Sequence, residues 1–439
     1  MIQNIDFSEF SKPSLEQWHA AVLKELAGKP FDATLWNPIS GISMEPYYHQ
    51  SGRRLEHVVP TRKDWGIGQI IYFINEKDTN DEILMSLEGG VNFLHIIFPK
   101  TIKAVDFSLL FKNIFLNYIE VALSFHAEDL IAQLSQFYND SDSVNWKGAV
   151  HYQVASPQLK ADLYERYSFT HKNIHTLSVD ASHVQNRGGN SIDAIVYACI
   201  EGKEILNILI EKGAQIDDLS AAMRFKFAID TSYFQEIAKL KAFRIIWAEI
   251  IKAYQPSHSC STNTIIDTTS TEYTMASLDA ENNLLRTTVE AMAALIGGAD
   301  TISLNTFNSL LDENQISSKR YARNILHLLK EESYFDMARE AVTGAYYIEE
   351  LIYQMAAQAL LRFQELAVLS HQEALDVLNK AIEASHVSKK DELENGLKTI
   401  LGVNKYPNKK DPRLGSSVNA FEFERLSEKL ENNLRNSNP

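Results

Sequence analysis

The sequence predicts an α/β protein of the closed-barrel type, in which eight parallel strands alternate with helices. Eight short apolar runs recur along the chain, most of them separated by segments whose apolar residues have helical spacing. Residues 282–312 also combine a helix, a Gly-Gly turn and a short strand in one α-to-β step. With 439 residues, 45% of them hydrophobic, the chain is long enough for one barrel plus terminal extensions.

The candidate strands are short, apolar and rich in β-branched residues, as is typical of parallel strands buried on both faces. Two of the intervening segments, residues 192–210 and 234–251, show the clearest helical spacing. The eight strand runs are residues 67–74, 92–98, 118–124, 148–154, 175–181, 224–229, 261–268 and 301–304.

The helix that opens residues 282–312 is expected to end at Gly297 and Gly298, because glycine adopts the left-handed conformation without steric cost. Residues 299–304 then form a buried strand. The helix is predicted from an apolar stripe at helical spacing, which consists of Leu284, Leu285, Thr288, Met292 and Leu295.

The two ends of the chain lie outside the strand–helix alternation. Residues 1–63 are predicted to form an arm, in which Ser14 caps a helix. Residues 64–370 form the barrel, with a long helix at 345–369. Residues 371–439 form a helical tail with a helix at 372–385, a short amphipathic stretch at 421–434 and a polar end expected to fray.

Composition excludes several classes of protein. The formal net charge of −15 argues against nucleic acid or an anionic membrane as the main partner. Cys199 and Cys260 give neither a disulfide framework nor a metal-ligand spacing, and no metal site is expected. Without a signal peptide or a membrane span, we expect a cytoplasmic protein.

Residues 286–308, RTTVEAMAALIGGADTISLNTFN, resemble the barrel-closing segment of the methylmalonyl-CoA mutase family. Residues 401–412, LGVNKYPNKKDP, resemble the family's segment just after the barrel, where Gly-x-Asn-x-Tyr recurs. The resemblance implies a (β/α)8 TIM barrel. It also implies an N-terminal arm that contacts a partner subunit, with packing on the chain's own barrel as the alternative.

A second resemblance concerns catalytic residues. VDASHVQNRGGNSIDA, residues 179–194, resembles the family's Tyr-His-x-Gln-Glu motif, and His183 and Gln185 fall on its His and Gln. In the family this His hydrogen-bonds the migrating thioester carbonyl. Because Ser182 and Asn186 replace the motif's Tyr and Glu, we interpret His183 and Gln185 as vestigial candidates or structural residues.

The segment from residue 261 to 286 resembles the family's contact with the coenzyme A arm. It makes Ser261, Thr262 and Asn263 weak candidates for substrate binding.

Other family elements are missing. The family's Arg-x-Tyr-Ala-Gly element, which drives the adenosyl group off cobalt, has no counterpart, since Tyr47, Tyr48, Arg53 and Arg54 cannot be mapped onto it. The Asp-x-His-x-x-Gly motif of the family's cobalamin-binding domain is also absent. We therefore expect no cobalamin-binding domain and no cofactor bound by this chain, with adenosylcobalamin held in a partner subunit.

These resemblances fit best the small, or beta, subunit of such a mutase. The expectation is a non-catalytic barrel in a heterodimer with a large catalytic subunit, which interconverts methylmalonyl-CoA and succinyl-CoA. Two alternatives stay open: an active acyl-CoA mutase barrel using cobalamin from a separate chain, and a coenzyme A-binding barrel without mutase chemistry. Whether acyl-CoA still binds this barrel is left undecided by the sequence.

Overall fold

The computed structural model describes residues 13–39, 41–48, 64–126, 128–140, 146–152, 156–166, 174–311, 316–408, 410–411 and 423–437. The described strands are β1 (Trp36–Ile39), β2 (Ile42–Met44), β3 (Gly66–Tyr72), β4 (Phe93–Ile97), β5 (Glu120–Phe125), β6 (Lys147–Tyr152), β7 (Ile174–His175), β8 (Leu177–Asp180), β9 (Met223–Ile229), β10 (Ile265–Ser270) and β11 (Thr301–Ser303). The helices before β9 are α1 (Leu15–Glu25), α2 (Glu76–Glu88), α3 (Phe107–Leu110), α4 (Glu128–Asp140), α5 (Pro157–Arg166), α6 (Ser182–Asn186), α7 (Ser191–Glu211) and α8 (Ile216–Ala222). The later helices are α9 (Tyr233–Ala253), α10 (Asn282–Gly297), α11 (Ile316–His327), α12 (Tyr346–Ala367), α13 (His371–Glu394) and α14 (Glu428–Ser437).

Strands β3 to β11 form one parallel sheet in the order β7-β6-β5-β4-β3-β11-β10-β9-β8. Its two edge strands, β7 and β8, are consecutive pieces of one chain segment and are separated only by Thr176. The sheet therefore closes on itself as an eight-position barrel whose fifth strand is interrupted, which confirms the predicted TIM-like fold class. Among the described helices, none is both long enough and apolar enough to cross a membrane.

Two predicted strands differ from the observed ones. The run at 175–181 is broken into β7 and β8, because β7 pairs with β6 while β8 pairs with β9. The run at 261–268 begins too early, since residues Ser259–Thr262 form a 3-10 turn and β10 starts at Ile265. Apolar content alone does not distinguish such a turn from the strand that follows it.

The apolar core lies between the barrel and its surrounding helices. Strand residues such as Leu94, Ile96, Phe225 and Phe227 point outward and are almost fully buried. Helices α7 and α9, predicted at 192–210 and 234–251, form the largest part of this layer. Both helices are buried on several sides, so apolar residues recur around most of their circumference.

Helix α10 ends as predicted, since Gly298 has a φ of +90° in the left-handed region. However, the buried face is not the apolar stripe. Of the five stripe residues only Leu295 is buried, and Leu285 is 66% exposed. The buried face instead carries small and polar residues, because α10 packs closely on α9; this face includes Asn283, Thr287, Glu290, Ala291 and Ala294.

The N-terminal arm contains an antiparallel hairpin, β1–β2, which the sequence did not predict. Ile42 and Met44 of this hairpin are buried against the outer layer of the barrel. Gln235 Nε2 on α9 donates to the carbonyl of Pro38 at 2.8 Å, so the hairpin packs on its own chain. By contrast, α1 has no buried residue, although Ser14 caps it as predicted.

In the C-terminal tail, α13 continues to Glu394, well past the predicted 372–385, and α14 overlaps the predicted 421–434. Arg425 Nη1 lies 3.0 Å from Glu431 Oε1, and both side chains are almost fully buried. Arg425 also donates to the carbonyl of Met275 in the loop after β10. This buried ion pair lies within the predicted amphipathic stretch and fixes it to the loop after β10.

Candidate functional site

The side chains that point into the barrel are mainly polar, and they come from most of the strands. Successive residues of a strand point to opposite faces, so the residues between the outward apolar ones point toward the barrel axis. The larger inward side chains are Phe93, His95, Glu120, Ser124, His151, Asp180, Arg224, Lys226, Asp267, Thr269 and Ser303. TIM barrels usually fill this space with branched aliphatic residues, so the barrel interior is the candidate site here.

Arg224 on β9 crosses the interior and closes it. Its Nε and Nη2 donate to the two oxygens of Asp267 at 2.5 and 2.6 Å, and its Nη1 donates to Glu120 at 3.2 Å. Strands β10 and β5, which carry these two acids, occupy opposite positions of the barrel. Burial opposes ionisation of Asp267, but the Arg224 guanidinium outweighs it and holds the pKa of Asp267 below its ordinary value.

Two histidines lie next to this ion network. His95 Nε2 is 2.7 Å from Ser124 Oγ, and the rings of His95 and His151 meet at 5.4 Å. Desolvation lowers the pKa of His95 well below its ordinary value and that of His151 to about 4. Both imidazoles are therefore neutral at neutral pH. The Nδ1 atom of His151 is buried without a hydrogen-bond partner, so it is available to a small polar ligand or water.

The carboxyl ends of the strands carry a second ion pair. Lys226 Nζ lies 3.1 Å from Asp180, which also accepts from the Ser182 amide at 2.9 Å. Tyr72 at the end of β3 is 57% exposed, so this end of the barrel opens to solvent.

His183 lies in α6, immediately after β8, at the carboxyl end of the barrel. Its Nδ1–H donates to the carbonyl of Asp180 at 2.9 Å. Its ring packs edge-to-face on Tyr197 of α7, with 4.5 Å between the centroids. Burial lowers the pKa of His183, so the imidazole is neutral and held against the surrounding helix layer.

Gln185 is 3% exposed and belongs to a buried hydrogen-bond network between α6 and α9. Its Nε2 donates to Glu236 at 3.0 Å, and its Oε1 accepts from Lys239 Nζ at 2.5 Å. Lys239 also pairs with Glu236, and Ser191 donates to the same carboxylate at 3.1 Å. Gln185 therefore connects α6 to α9, and both of its polar atoms are occupied within the chain.

Ser261, Thr262 and Asn263 precede β10, so they lie at the amino end of the barrel, opposite His183. Ser261 Oγ donates to Asp217 at 2.5 Å, and Thr262 Oγ1 donates to the carbonyl of Ser259 at 2.9 Å. The structure thus brings His183 and Gln185 to one end and these three residues to the other. The two predicted sets do not form one site.

The same amino end opens into a cavity of about 590 Å³. Trp65 lines it and is 1% exposed, and its Nε1–H has no hydrogen-bond partner. Tyr118, 84% exposed, stands among the lining residues. The exposed Tyr118 ring can stack on a ligand that has a planar ring.

Sequence reasoning missed the interior residues His95, His151, Arg224 and Lys226. A signal was present, because Arg224 and Lys226 alternate with Phe225 and Phe227 along β9. Two charges on one face of a strand in a closed barrel must both enter the interior when the apolar face packs on the helices. The family motifs do not include this strand, so resemblance alone does not identify these residues.

Comparison with known proteins gives the family. A family model described as methylmalonyl-CoA mutase matches residues 147–437, about two thirds of the chain. The methylmalonyl-CoA mutase small subunit of Porphyromonas gingivalis is 27% identical over 438 residues, covering 92% of this chain and 71% of that protein.

Two longer relatives also match. The methylmalonyl-CoA mutase of Cereibacter sphaeroides is 25% identical, covering 89% of this chain and 64% of that protein. The human mitochondrial methylmalonyl-CoA mutase is 24% identical, covering 91% of this chain and 62% of that protein. The chain thus spans less than two thirds of the length of these two relatives. On the family match, which includes most of the barrel strands, the chain belongs to the methylmalonyl-CoA mutase family.

Proposed function

We propose that this chain is the non-catalytic small subunit of a heterodimeric, adenosylcobalamin-dependent methylmalonyl-CoA mutase. Its partner would be the large catalytic subunit, which interconverts methylmalonyl-CoA and succinyl-CoA. The observation that carries the proposal is the closed barrel interior, where Arg224 spans from Asp267 to Glu120. The Arg224 side chain therefore lies across the axis along which a long acyl-CoA substrate would have to pass.

The predicted catalytic positions support the same proposal. Both polar atoms of Gln185 are bound to Glu236 and Lys239, so they cannot turn to a substrate without breaking a buried network. His183 is held by Asp180 and Tyr197. We therefore keep His183 and Gln185 as structural remnants of a family motif.

Cobalamin does not fit the described residues of this chain. The described residues after β11 form helices and loops, whereas the family's cofactor domain carries its cobalt-binding His on an Asp-x-His-x-x-Gly motif. The two histidines of the tail are engaged elsewhere: His371 with Glu201 at 2.6 Å and His386 with Tyr273 at 3.0 Å. We infer that adenosylcobalamin is bound by the large subunit.

The arm supplies the surface for the partner. Helix α1 buries none of its residues, while Leu23, Trp36 and Tyr47 are 49%, 52% and 45% exposed. Exposed apolar residues grouped on a helix and its flanks are typical of protein interfaces. We propose that the hairpin anchors the arm on its own barrel and that α1 contacts the large subunit, with residues 1–63, 64–370 and 371–439 acting as arm, barrel and tail.

Co-expression with the large subunit tests this function. A stable one-to-one complex is expected by size-exclusion chromatography with light scattering, and its turnover of methylmalonyl-CoA is expected to survive His183→Ala in this chain. Tyr197→Leu, which removes only the ring that His183 packs on, serves as the matched control. Loss of turnover in a complex that still assembles with His183→Ala would contradict the non-catalytic role.

The cavity at the amino end favours a second candidate function, a coenzyme A-binding barrel without mutase chemistry. Trp65 and the exposed Tyr118 line this cavity, and Ser261 to Asn263 are at the same end of the barrel. Calorimetry of the isolated chain with acetyl-CoA separates the two functions. Binding that is weakened by Tyr118→Ala would support this candidate, and the absence of binding would remove it.

A further inference from the structure

Helix α13 presents an open groove on the side that faces away from the barrel. Its buried residues, Ala374, Leu378, Ile382 and Leu393, turn toward the rest of the chain, where α13 packs on α7 and α12. The opposite side borders a groove of about 730 Å³. The residues that line this groove are Lys380, Glu383, Ala384, Val387, Ser388, Asp391, Glu392, Asn395 and Leu397.

The groove has an apolar centre between acidic side chains. Val387 is 51% exposed and Leu397 is 82% exposed, which is unusual for aliphatic residues so close together. Glu383 and Asp391 flank Val387 at four-residue spacings on the same helix face, about 12 Å apart along the axis. Within the described part of the chain, neither carboxylate forms an ion pair. The lining therefore carries three carboxylates, with that of Glu392, against the single ammonium of Lys380.

The groove also continues toward the N-terminal arm. Ala384, Ser388 and Glu392 line a second cavity of about 540 Å³, which is bordered on its other side by Asn37, Pro38 and Ile39 of strand β1. A subunit that contacts the arm is therefore within reach of the groove.

We propose that this groove binds an amphipathic helix of the large subunit that carries Lys or Arg residues on both sides of an aliphatic residue. The inference rests on the proposed function and adds to it the location and chemistry of a contact. An aliphatic side chain on Val387 and Leu397 removes apolar surface from water, and basic residues one turn to either side pair with Glu383 and Asp391. A second copy of this chain fits less well, because each copy carries a net charge of −15.

The test measures the affinity of the full chain for the purified large subunit by biolayer interferometry at low and high salt. Glu383→Lys with Asp391→Lys is expected to weaken binding by about tenfold or more and to flatten its salt dependence. Glu331→Lys with Glu332→Lys is the matched control, because both residues are exposed, lie after α11 and change the formal charge equally. Leu397→Ser, at a position 82% exposed, tests the apolar centre without disturbing the fold and is expected to weaken binding several-fold.

The experiment distinguishes an error in the groove proposal from an error in the proposed function. If the wild-type chain does not bind the large subunit, the proposed function is wrong. If the wild type binds and the Glu383/Asp391 variant binds equally well, or loses no more affinity than the Glu331/Glu332 variant, the groove is not the contact. A wild-type homodimer that dissociates in the Glu383/Asp391 variant would replace the large subunit by a second copy and so overturn the proposal.

Discussion

The barrel interior and the layer outside the barrel are built from the same strands but from opposite kinds of residue. Outside, Phe225 packs on Phe243 and Trp247 with ring centroids 4.8 and 4.6 Å apart. Inside, the neighbouring Arg224 is held by acids from two other strands. Outward burial of apolar area stabilises the fold directly, whereas a buried ion pair mainly offsets its own desolvation. The comparison indicates that the apolar outer layer supplies most of the stability of the fold. The polar composition of the interior is therefore not explained by stability.

The largest effect is expected from breaking the interior network at one partner. Arg224→Met leaves Asp267 buried without its cation, so the free energy of unfolding should fall by about 3–5 kcal/mol. Urea denaturation at neutral pH measures this loss. Replacing Arg224, Asp267 and Glu120 together with Met and Leu residues should restore stability to within about 1–2 kcal/mol of the wild type. A triple variant as unstable as Arg224→Met would show that the interior network itself stabilises the fold.

Glu290 on α10 is a buried acid in the otherwise largely apolar outer layer. It is 1% exposed, and neither of its carboxylate oxygens has a hydrogen-bond partner. Desolvation raises its pKa well above the ordinary value, followed by the charges of Asp230 and Glu236. The folded state therefore keeps the proton while the unfolded state has lost it, so this group makes the chain less stable as pH rises above about 4.3.

Glu290→Met should consequently raise the free energy of unfolding by about 1–3 kcal/mol at neutral pH, and by less at pH near 4. Urea denaturation across this pH range measures the difference. Glu290→Gln is the control, since it removes the titration but keeps an unpaired polar group. A gain that is independent of pH in both variants would mean that Glu290 is not protonated in the folded chain.

A smaller loss is expected from shortening one apolar side chain of the outer layer. Ile251 on α9 is fully buried, and Ile251→Val removes a single methyl group, so the loss should be about 0.5–1.5 kcal/mol. Thermal or urea unfolding measures it against Arg224→Met. If Ile251→Val lowers the free energy of unfolding as much as Arg224→Met does, the contrast between the two regions does not hold.

The smallest effect is expected at Leu285, which is 66% exposed on α10. Leu285→Lys should change the free energy of unfolding by less than about 0.5 kcal/mol, because no buried contact is lost. Leu295→Lys, at a buried position of the same helix, is the contrasting variant and should prevent folding. A large loss at Leu285 would restore the apolar stripe as the buried face.

Much of the fold could be predicted because it depends on local patterns. Short apolar runs marked most of the barrel strands, and the two 21-residue helices α7 and α9 were found by their spacing. The interruption at Thr176 could not be predicted, since it arises where β7 and β8 pair with different neighbours to close the barrel. The β1–β2 hairpin was missed because its three buried side chains are too few to give a periodic signal.

The candidate site was less predictable than the fold. The motif resemblance placed His183 and Gln185 at the carboxyl end of the barrel. It did not predict which side chains they contact. Gln185 lies 51 residues before Glu236, and Arg224 lies 104 residues after Glu120, so these contacts exist only in the folded chain. The roles of Ser261 to Asn263 in substrate binding stay a prediction.

The sequence by itself determined the order of strands and helices, the end of α10 at Gly298 and the resemblance to a mutase family. Each of these depends on residues close together in the chain, where periodicity and backbone preference act. Only the tertiary structure decided which face of α10 is buried, what holds Gln185 and whether the barrel interior is open. The reason is that a side chain's partners across a closed barrel are set by strand order and packing, which residues far apart in the chain determine together.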